Sequence, residues 1–313
     1  MIPKYQDIQK AHERIKTFIH QTPVLSSKSI NKILNVDIVF KCENFQKVGA
    51  FKFRGATNAV RLLTKEESEK GVTTHSSGNH AAALSLAAKQ LNIPAYIVMP
   101  RNAPEIKKKA VEGYGAKITF CEPTLQAREE TLYAVQKETG ATFIHPYDNF
   151  NVICGQGTAA KEFLEEIPDL DIIIAPIGGG GLMSGTAISA KAINSEIKVY
   201  GAEPLNANDA FLSFTKGVLI PAGPPKTIAD GLLTSLSPLT FQLIRENADR
   251  ILTAKEETIV SAMRMIWERM KIIVEPSSAV PLAVIMENRN LFEGKKIGIL
   301  ISGGNVDLNH LPF

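Results

Sequence analysis

Short apolar runs rich in β-branched residues alternate with longer amphipathic stretches, and this alternation restricts the fold more than any other feature of the chain. The run Asp-Ile-Ile-Ile-Ala at 171–175 is apolar almost throughout, as expected of a parallel strand covered on both faces. Strands are predicted at 36–42, 72–75, 95–99, 117–121, 171–176, 198–203 and 296–301. Helices are predicted at 54–63, 79–90, 103–112, 125–138, 158–165, 183–193, 256–269 and 277–286. This order is typical of an α/β fold with right-handed crossovers.

Composition and charge exclude several classes of protein. Hydrophobic residues make up 44% of the 313 residues and charged residues 21%, which is ordinary globular usage. With 35 basic and 32 acidic residues, the net charge of +3 is too balanced for a nucleic-acid-binding protein. The sequence has neither a membrane-spanning apolar run nor an apolar N-terminal signal, so no membrane association is expected. Three scattered cysteines, Cys42, Cys121 and Cys154, fit packing residues of a reduced, cytoplasmic protein.

Four consecutive glycines form the most distinctive motif. Gly178, Gly179, Gly180 and Gly181 follow a predicted strand and open a predicted helix. Residues without side chains can turn their backbone N–H groups toward one anion, and the helix N-terminus adds a partial positive charge. The motif therefore fits a phosphate site, with a plain glycine-rich turn as the alternative. The dinucleotide fingerprint G-x-G-x-x-G and the P-loop G-K-[ST] do not occur at this loop.

A lysine and two further polar turns also follow predicted strands. Lys52 lies between Phe51 and Phe53, where desolvation would lower the pKa of its amine and favour the nucleophilic form. A surface lysine whose stem covers the rings is the alternative. The turns at 76–80 and 302–305 carry hydroxyl and amide groups, and the first also suits helix capping. Because ligand sites in open α/β sheets lie at the carboxyl ends of strands, one central pocket is predicted.

The motifs of this pocket resemble those of a known family. They are Gly-Ala-Phe-Lys-Phe-Arg-Gly-Ala at 49–56, Ser-Ser-Gly-Asn-His at 76–80, Gly-Gln-Gly-Thr at 155–158, the glycines at 178–181, Thr-Ile-Ala-Asp-Gly at 227–231 and Ser-Gly-Gly-Asn-Val-Asp-Leu at 302–308. On these motifs, nearly the whole chain is similar to the fold-type II pyridoxal 5′-phosphate (PLP) enzymes, close to the serine racemases and the serine/threonine dehydratases.

The resemblance implies an α/β fold like that of the tryptophan synthase β-subunit. Two open, mostly parallel twisted sheets would be covered by helices. Residues 1–70 and 146–313 would form a large PLP-binding domain, and residues 71–145 a small domain inserted in it. The chain would work as a homodimer, and a C-terminal regulatory domain is not expected.

The resemblance also assigns roles at the cofactor. Lys52 would hold PLP as a Schiff base, and Phe51 would pack against the cofactor ring. Asn79 would hydrogen-bond the 3′-hydroxyl, and Gly178 to Gly181 would bind the phosphate. Ser302 would face the pyridine nitrogen. Because a neutral hydroxyl does not hold that nitrogen protonated, this partner favours rapid β-elimination after loss of the Cα hydrogen.

Further implied roles concern the substrate. Ser76, Ser77, Asn79 and His80 would clamp the α-carboxylate. Lys52 and Ser77 would be the catalytic pair, with the lysine as base on one face of the substrate and the serine on the opposite face. A second acid/base on the opposite face permits racemisation, because a proton can return from the other side.

Two further matches extend the predicted site. Glu203, Ala207 and Asp209 match the segment by which racemase-like members hold Mg²⁺ or Ca²⁺ through two carboxylates and a carbonyl, and Mn²⁺ would also suit this set. The spacing of these residues alone would equally fit an acidic turn at the surface, which is the alternative.

Arg128 aligns with an arginine of racemase-like members and would bind a β-carboxylate. The alternative is an exposed helix charge beside Glu129.

The predicted function is elimination of water from β-hydroxy amino acids. L-Serine or L-threonine would give a 2-oxo acid and ammonia, with serine racemisation at the same site. An L-threo-3-hydroxyaspartate ammonia-lyase and a non-catalytic PLP-binding protein are the alternatives. Ala50 is nearer to the fungal racemase and hydroxyaspartate dehydratase type than the usual serine. Ala81 and Ala82 replace the Gly-Gln pair of animal racemases, which counts against ATP activation.

Overall fold

The computed structural model describes residues 1–76, 78–103, 105–223 and 226–313. Within these residues the strands are β1 (Val24–Ser26), β2 (Asp37–Cys42), β3 (Val72–His75), β4 (Ala95–Pro100), β5 (Lys117–Cys121), β6 (Thr142–Phe143), β7 (Ile172–Pro176), β8 (Lys198–Pro204), β9 (Arg250–Ala254) and β10 (Lys296–Ile301). The first helices are α1 (Tyr5–Ile15), α2 (Lys28–Leu34), α3 (Lys52–Val60), α4 (Lys65–Lys70), α5 (Asn79–Lys89), α6 (Glu105–Gly113) and α7 (Leu125–Thr139). They are followed by α8 (Phe150–Glu166), α9 (Gly181–Ile193), α10 (Asp209–Lys216), α11 (Pro238–Asn247), α12 (Glu256–Met270) and α13 (Pro276–Glu287).

The strands form two sheets. One has the order β1-β2-β10-β7-β8-β9, in which only the edge strand β1 runs antiparallel to its neighbour. The other has the order β5-β4-β3-β6 and is parallel throughout. The predicted α/β fold with two mostly parallel sheets is therefore confirmed. All strands of the second sheet lie between residues 72 and 143, while the predicted domain boundaries at 70/71 and 145/146 stay predictions.

Burial on both faces explains the apolar strands of the larger sheet. Every residue of β7 is buried. Ile172 and Ile174 belong to the apolar cluster that includes residues of α12 and α13, whereas Ile173 and Ala175 belong to the cluster of α8 and α9. Successive strand residues point to opposite faces, so a strand between two helix layers needs apolar residues at consecutive positions.

The predicted strands agree with the structure to within one residue at each end. The helix predicted at 158–165 was placed wrongly at its start, because α8 begins at Phe150. The side chain of Asn149 caps it by accepting from the backbone N–H of Val152 at 3.0 Å. Its internal glycines are needed for close packing, since a Cβ at Gly155 would lie 2.6 Å from the Cα of Gly55.

Several elements were not predicted. Strands β1, β6 and β9 and helices α1, α2, α4, α10 and α11 are present in the structure. Helix α11 carries a start signal that could have been used, because Ser237 accepts from the backbone N–H of Thr240 and Pro238 occupies the first helical position.

Two findings bear on the environment of the chain. Across the residues that the structure describes, no helix combines the length and the apolar character needed to cross a membrane. Cys42, Cys121 and Cys154 are buried with free thiols, as predicted for packing residues.

Candidate active site

Lys52 is the first residue of α3 and lies near the carboxyl ends of two neighbouring strands. β2 and β10 pair in parallel, so the segments that follow them leave the sheet at the same edge. Ala50 forms a bridge with Gly303, and the backbone N–H of Phe51 donates to the carbonyl of Ser302 at 2.9 Å. The segment that presents Lys52 is therefore held directly against the predicted Ser302 turn.

The amine of Lys52 is in a desolvated environment. Its Nζ donates to the carbonyl of Pro146 at 2.9 Å and lies 5.1 Å from the centre of the Phe51 ring. Burial lowers the pKa of Lys52 to about 8, against the opposing charge of Glu275. Phe53 is fully buried in the core, because successive helical residues point in different directions.

The four glycines between β7 and α9 form a loop with no room for side chains. A Cβ at Gly179 would collide with the Tyr147 ring, and a Cβ at Gly181 would lie 3.0 Å from the Cβ of Tyr147. A Cβ at Gly178 would lie 2.9 Å from a backbone carbonyl. Gly180 has φ +88°, a left-handed conformation that favours glycine. The loop therefore exposes backbone rather than side chains to the pocket.

The start of α9 suits an anion. Its N-cap, Gly180, offers no side-chain cap, and the first intrahelical bond that the structure shows is donated by Ser184 to the carbonyl of Gly180 at 2.8 Å. The preceding helical N–H groups have no partner within the helix, and the helix dipole is positive there. These features fit a phosphate group in contact with the glycine loop.

Two consecutive residues connect the lysine with the glycine loop. Pro146 accepts the hydrogen bond from Lys52, and Tyr147 packs on Gly179 and Gly181. The amine and the glycine loop are thus brought together through two consecutive residues. Sequence reasoning missed both residues, because they follow the two-residue strand β6, which is too short to give a periodic signal.

A row of rings leads from the end of β3 to Tyr147. His75 stacks on Phe143 at 5.8 Å, and the His75 and His145 ring centres are 6.5 Å apart. His145 meets Tyr147 edge-on at 4.5 Å. The Nδ1 atom of His145 accepts from the backbone N–H of Asp148 at 2.8 Å, and burial lowers the pKa of His145 to about 4. This imidazole is therefore neutral at physiological pH.

The loop after β3 contains the predicted carboxylate clamp. Ser76 accepts with its Oγ from the backbone N–H of Gly78 at 3.3 Å, and Asn79 begins α5. His80 is 2% exposed and donates from Nε2 to the carbonyl of Ile144 at 3.1 Å, so its ring anchors the chain before Pro146. Ser77 lies outside the described residues.

Asn79 is held by two residues from distant parts of the chain. Its Nδ2 lies 3.1 Å from each carboxylate oxygen of Glu275, and its Oδ1 accepts from Asn305 at 2.9 Å. Burial raises the pKa of Glu275 to about 7. Glu275 was not predicted, because its sequence signal, a glutamate before the helix-starting Pro276, is ordinary.

Ser302 has a hydroxyl partner. It is 3% exposed, and its Oγ lies 2.9 Å from the Oγ of Ser278. The Ser278 hydroxyl also donates to the carbonyl of Gly303 at 2.7 Å. The side-chain partner of Ser302 is therefore a neutral hydroxyl.

The predicted metal ligands are buried, unlike a surface acidic turn. Glu203 is 1% exposed and accepts from the backbone N–H groups of Ala210 and Phe211 at 3.2 and 2.7 Å. Burial raises the pKa of Glu203 well above its usual range and that of Asp209 to about 6. The Oδ2 atom of Asp209 is buried without a partner in the described structure, and Ala207 is also buried. No cluster of three or more His, Cys, Asp or Glu side chains suited to a metal occurs among the described residues.

Arg128 lies on α7 beside the end of β3. Its Nε atom is buried and finds no hydrogen-bond partner within the described ranges. Burial lowers the pKa of His75, the last residue of β3, and the positive charge of Arg128 lowers it further. Arg128 is half-buried and is not a freely exposed helix charge.

Comparison with known proteins assigns the chain to a family. The family pattern described as "Pyridoxal-phosphate dependent enzyme" matches residues 15–303. The chain belongs to this family. The resemblance to the PLP enzymes that was drawn from the motifs is thereby confirmed.

Individual relatives of this PLP enzyme cover its whole length. The beta-hydroxyaspartate dehydratase of Paracoccus denitrificans (strain Pd 1222) is 51% identical over 312 residues, which are 100% of this chain and 99% of that protein. The crystal structure of serine racemase from Dictyostelium discoideum has a TM-score of 0.93 and 50% identity, and the match covers 98% of this chain and 99% of that one. The structure of maize serine racemase has a TM-score of 0.97 and 46% identity, over 99% and 95% of the two chains. The predicted fold-type II architecture agrees with these structures.

Proposed function

We propose that this PLP enzyme eliminates water from L-serine and L-threonine, giving a 2-oxo acid and ammonia, and racemises serine at the same site. One observation carries the proposal. The amine of Lys52, whose pKa is lowered to about 8, is connected through Pro146 and Tyr147 to the glycine loop. An amine that is partly neutral at physiological pH and lies near a phosphate loop is the combination that PLP chemistry requires.

The residues around Lys52 fit the cofactor. The glycines at 178–181 would hold the phosphate with backbone N–H groups, and Phe51 would pack against the ring. Asn79 would donate to the 3′ oxygen, and Ser302 would face the ring nitrogen with a neutral hydroxyl. When bound, the cofactor supplies an electron sink for the pair left at Cα.

The lysine is also the proposed base at the substrate. Once its amine is free, it can take the proton from Cα, because a pKa of about 8 leaves a substantial neutral fraction near neutral pH. The substrate α-carboxylate would lie in the loop with Ser76, Ser77, Asn79 and His80. The start of α5 supports this placement, since its N-cap, Gly78, has no side chain to occupy the free N–H groups.

Ser77 is proposed as the acid/base on the opposite face. The support is its place in the sequence between Ser76 and Gly78, two positions before Asn79. A hydroxyl on that face would return a proton to Cα with inverted configuration, while Lys52 alone would serve elimination.

A divalent cation, Mg²⁺ by preference, is proposed at Glu203, Ala207 and Asp209. The unpartnered, buried Oδ2 atom of Asp209 and the raised pKa values of both carboxyl groups support it, because a cation would compensate the cost of their burial. The backbone carbonyl of Ala207 would supply the third oxygen. The residues would hold the ion as a structural support beside α10.

A second candidate function is an L-threo-3-hydroxyaspartate ammonia-lyase. The buried, unpartnered Nε of Arg128 near the end of β3 favours it, since a β-carboxylate would satisfy this guanidinium. The hydroxyaspartate dehydratase among the relatives gives the same indication. Replacing Arg128 with Ala should lower kcat/KM for 3-hydroxyaspartate by about 100-fold and leave that for L-serine within about threefold. Arg101→Ala, at an exposed arginine, is the control, and equal losses for both substrates would refute the assignment.

The proposed function is tested by cofactor binding and product release. The purified protein should show the visible absorbance band of bound PLP and release pyruvate from L-serine. Lys52→Ala should lose both, while Lys65→Ala, at an exposed lysine, should keep both. A band without pyruvate would favour a non-catalytic PLP-binding protein.

We also propose a cytoplasmic homodimer, to be tested by fractionation and sedimentation. The free buried thiols suit a reducing compartment.

A further inference from the structure

Glu275 is a buried carboxylate in the site to which the proposed function gives no role. It is 3% exposed and occupies the N-cap position of α13, yet its side chain does not cap that helix. Its carboxylate instead reaches Asn79 at the start of α5, with both oxygens 3.1 Å from the Nδ2 atom. Burying a carboxylate in this way is costly unless other groups hydrogen-bond to it or balance its charge.

The two partners of Asn79 allow its amide only one orientation. Asn305 donates from its Nδ2 to the Oδ1 of Asn79 at 2.9 Å and to the carbonyl of Val48 at 2.8 Å. Asn79 thus lies between a donor on one side and the Glu275 acceptor on the other. If its amide were turned over, its NH₂ would face the NH₂ of Asn305 and its oxygen would face the carboxylate.

We propose that Glu275 is a positioning residue that holds one amide hydrogen of Asn79 between its two oxygens and thereby presents the second hydrogen to the 3′ oxygen of the cofactor. The inference rests on the proposed function, which assigns that contact to Asn79. It extends the site to the residue that precedes α13, in a supporting role behind Asn79.

The groups around Glu275 set its charge. Burial is the largest cause that raises its pKa, to about 7, and the carboxylate of Asp230 raises it further. The Asn79 amide, the nearby Lys107 and the backbone N–H of Asn305 act in the opposite direction. Lys107 itself forms an ion pair with Asp230, and Glu275 in turn counteracts the lowering of the Lys52 pKa. Above pH 7 the Glu275 carboxylate is ionised, and both of its oxygens accept from the Asn79 amide. Protonation at lower pH weakens this hydrogen bonding.

The test replaces the acceptor while keeping its shape. Glu275→Gln removes the negative charge and replaces one of the two acceptor oxygens with an NH₂ group, so the Asn79 amide keeps at most one of its two oxygen partners. We expect about tenfold weaker binding of PLP to the cofactor-stripped protein. We also expect the visible absorbance of the bound cofactor to change between about pH 6 and pH 8 in the wild type and to be constant in the variant. Glu287→Gln, at the exposed last residue of the same helix, is the matched control and should behave as the wild type.

The outcomes separate the inference from the proposed function. A wild type that binds no PLP would refute both. A wild type that binds PLP but whose absorbance is constant over this range would refute the inference alone. The same holds if Glu275→Gln keeps the wild-type affinity within about twofold and the wild-type pH profile. If Glu275→Gln does not fold, Glu275→Asp is used as the second test of the inference. It keeps a shorter acceptor, so weaker PLP binding and a shifted spectral midpoint are expected, and wild-type values for both would overturn the inference.

Discussion

Replacing Gly179 with Ala should weaken cofactor binding through one steric conflict. The added methyl group would enter the Tyr147 ring, which is held edge-on against His145 at 4.5 Å. Rotation of the ring about its own axis does not relieve the conflict, because the added methyl carbon would also collide with the Cγ atom of Tyr147, which lies on that axis. Gly179 does not have the left-handed φ of Gly180, so the conflict is one of space rather than backbone strain.

The size of the effect follows from overpacking. Adding a methyl group to a filled site costs about 1–3 kcal/mol, and we expect most of this cost at the loop that binds the phosphate. PLP should therefore bind about 5- to 150-fold more weakly. The assay is a titration of the cofactor-stripped protein with PLP, followed by visible absorbance.

A control and a double variant test the cause. Gly113→Ala adds a methyl group where no atom lies within 4 Å, and it should leave PLP affinity unchanged. Gly179→Ala combined with Tyr147→Ala should recover part of the loss, with a coupling of about 1–2 kcal/mol between the two positions. If Gly179→Ala bound PLP within about twofold of the wild type, the packing argument would be refuted.

Three further results are expected. Arg54 is fully buried and bridges Glu43 and Glu162, so Arg54→Met should lower the free energy of unfolding by about 3–5 kcal/mol in urea; a loss below about 1 kcal/mol would contradict this. Because the Lys52 pKa is lowered to about 8 and the neutral amine is the reactive form, the rate at which PLP attaches to the cofactor-stripped protein should rise as pH increases through about 8 and not fall. Ser77→Ala should reduce serine racemisation at least tenfold more than elimination, as about 1.4 kcal/mol of acid/base assistance predicts, and equal losses in a chiral product assay would contradict the two-face assignment.

The strands and the position of the site were predictable because they depend on local patterns. A strand covered on both faces must be apolar throughout, as β7 is, and this run can be seen without knowing its neighbours. Parallel strands bring their carboxyl ends to one edge, so the turns with Lys52 and Ser302 could be expected to meet. The backbone hydrogen bond from Phe51 to Ser302 shows that they do.

The remainder depends on contacts between residues that are distant in sequence. Nothing in the sequence around Glu275 shows that it reaches Asn79, which is 196 positions away. Tyr147 follows a strand of only two residues, and its contact with Gly179 arises from the packing of separate elements. The helix α8 was predicted to start too late, because glycine normally disfavours helix interiors and only close packing against α3 explains Gly155.

The most direct test of the account fixes the cofactor to the chain. The protein loaded with PLP is treated with borohydride, which makes a lysine–cofactor linkage permanent, then digested and analysed by mass spectrometry. The account predicts a single modified peptide, with the added mass on Lys52. Modification of a different lysine, or an active protein that carries no modification, would contradict it.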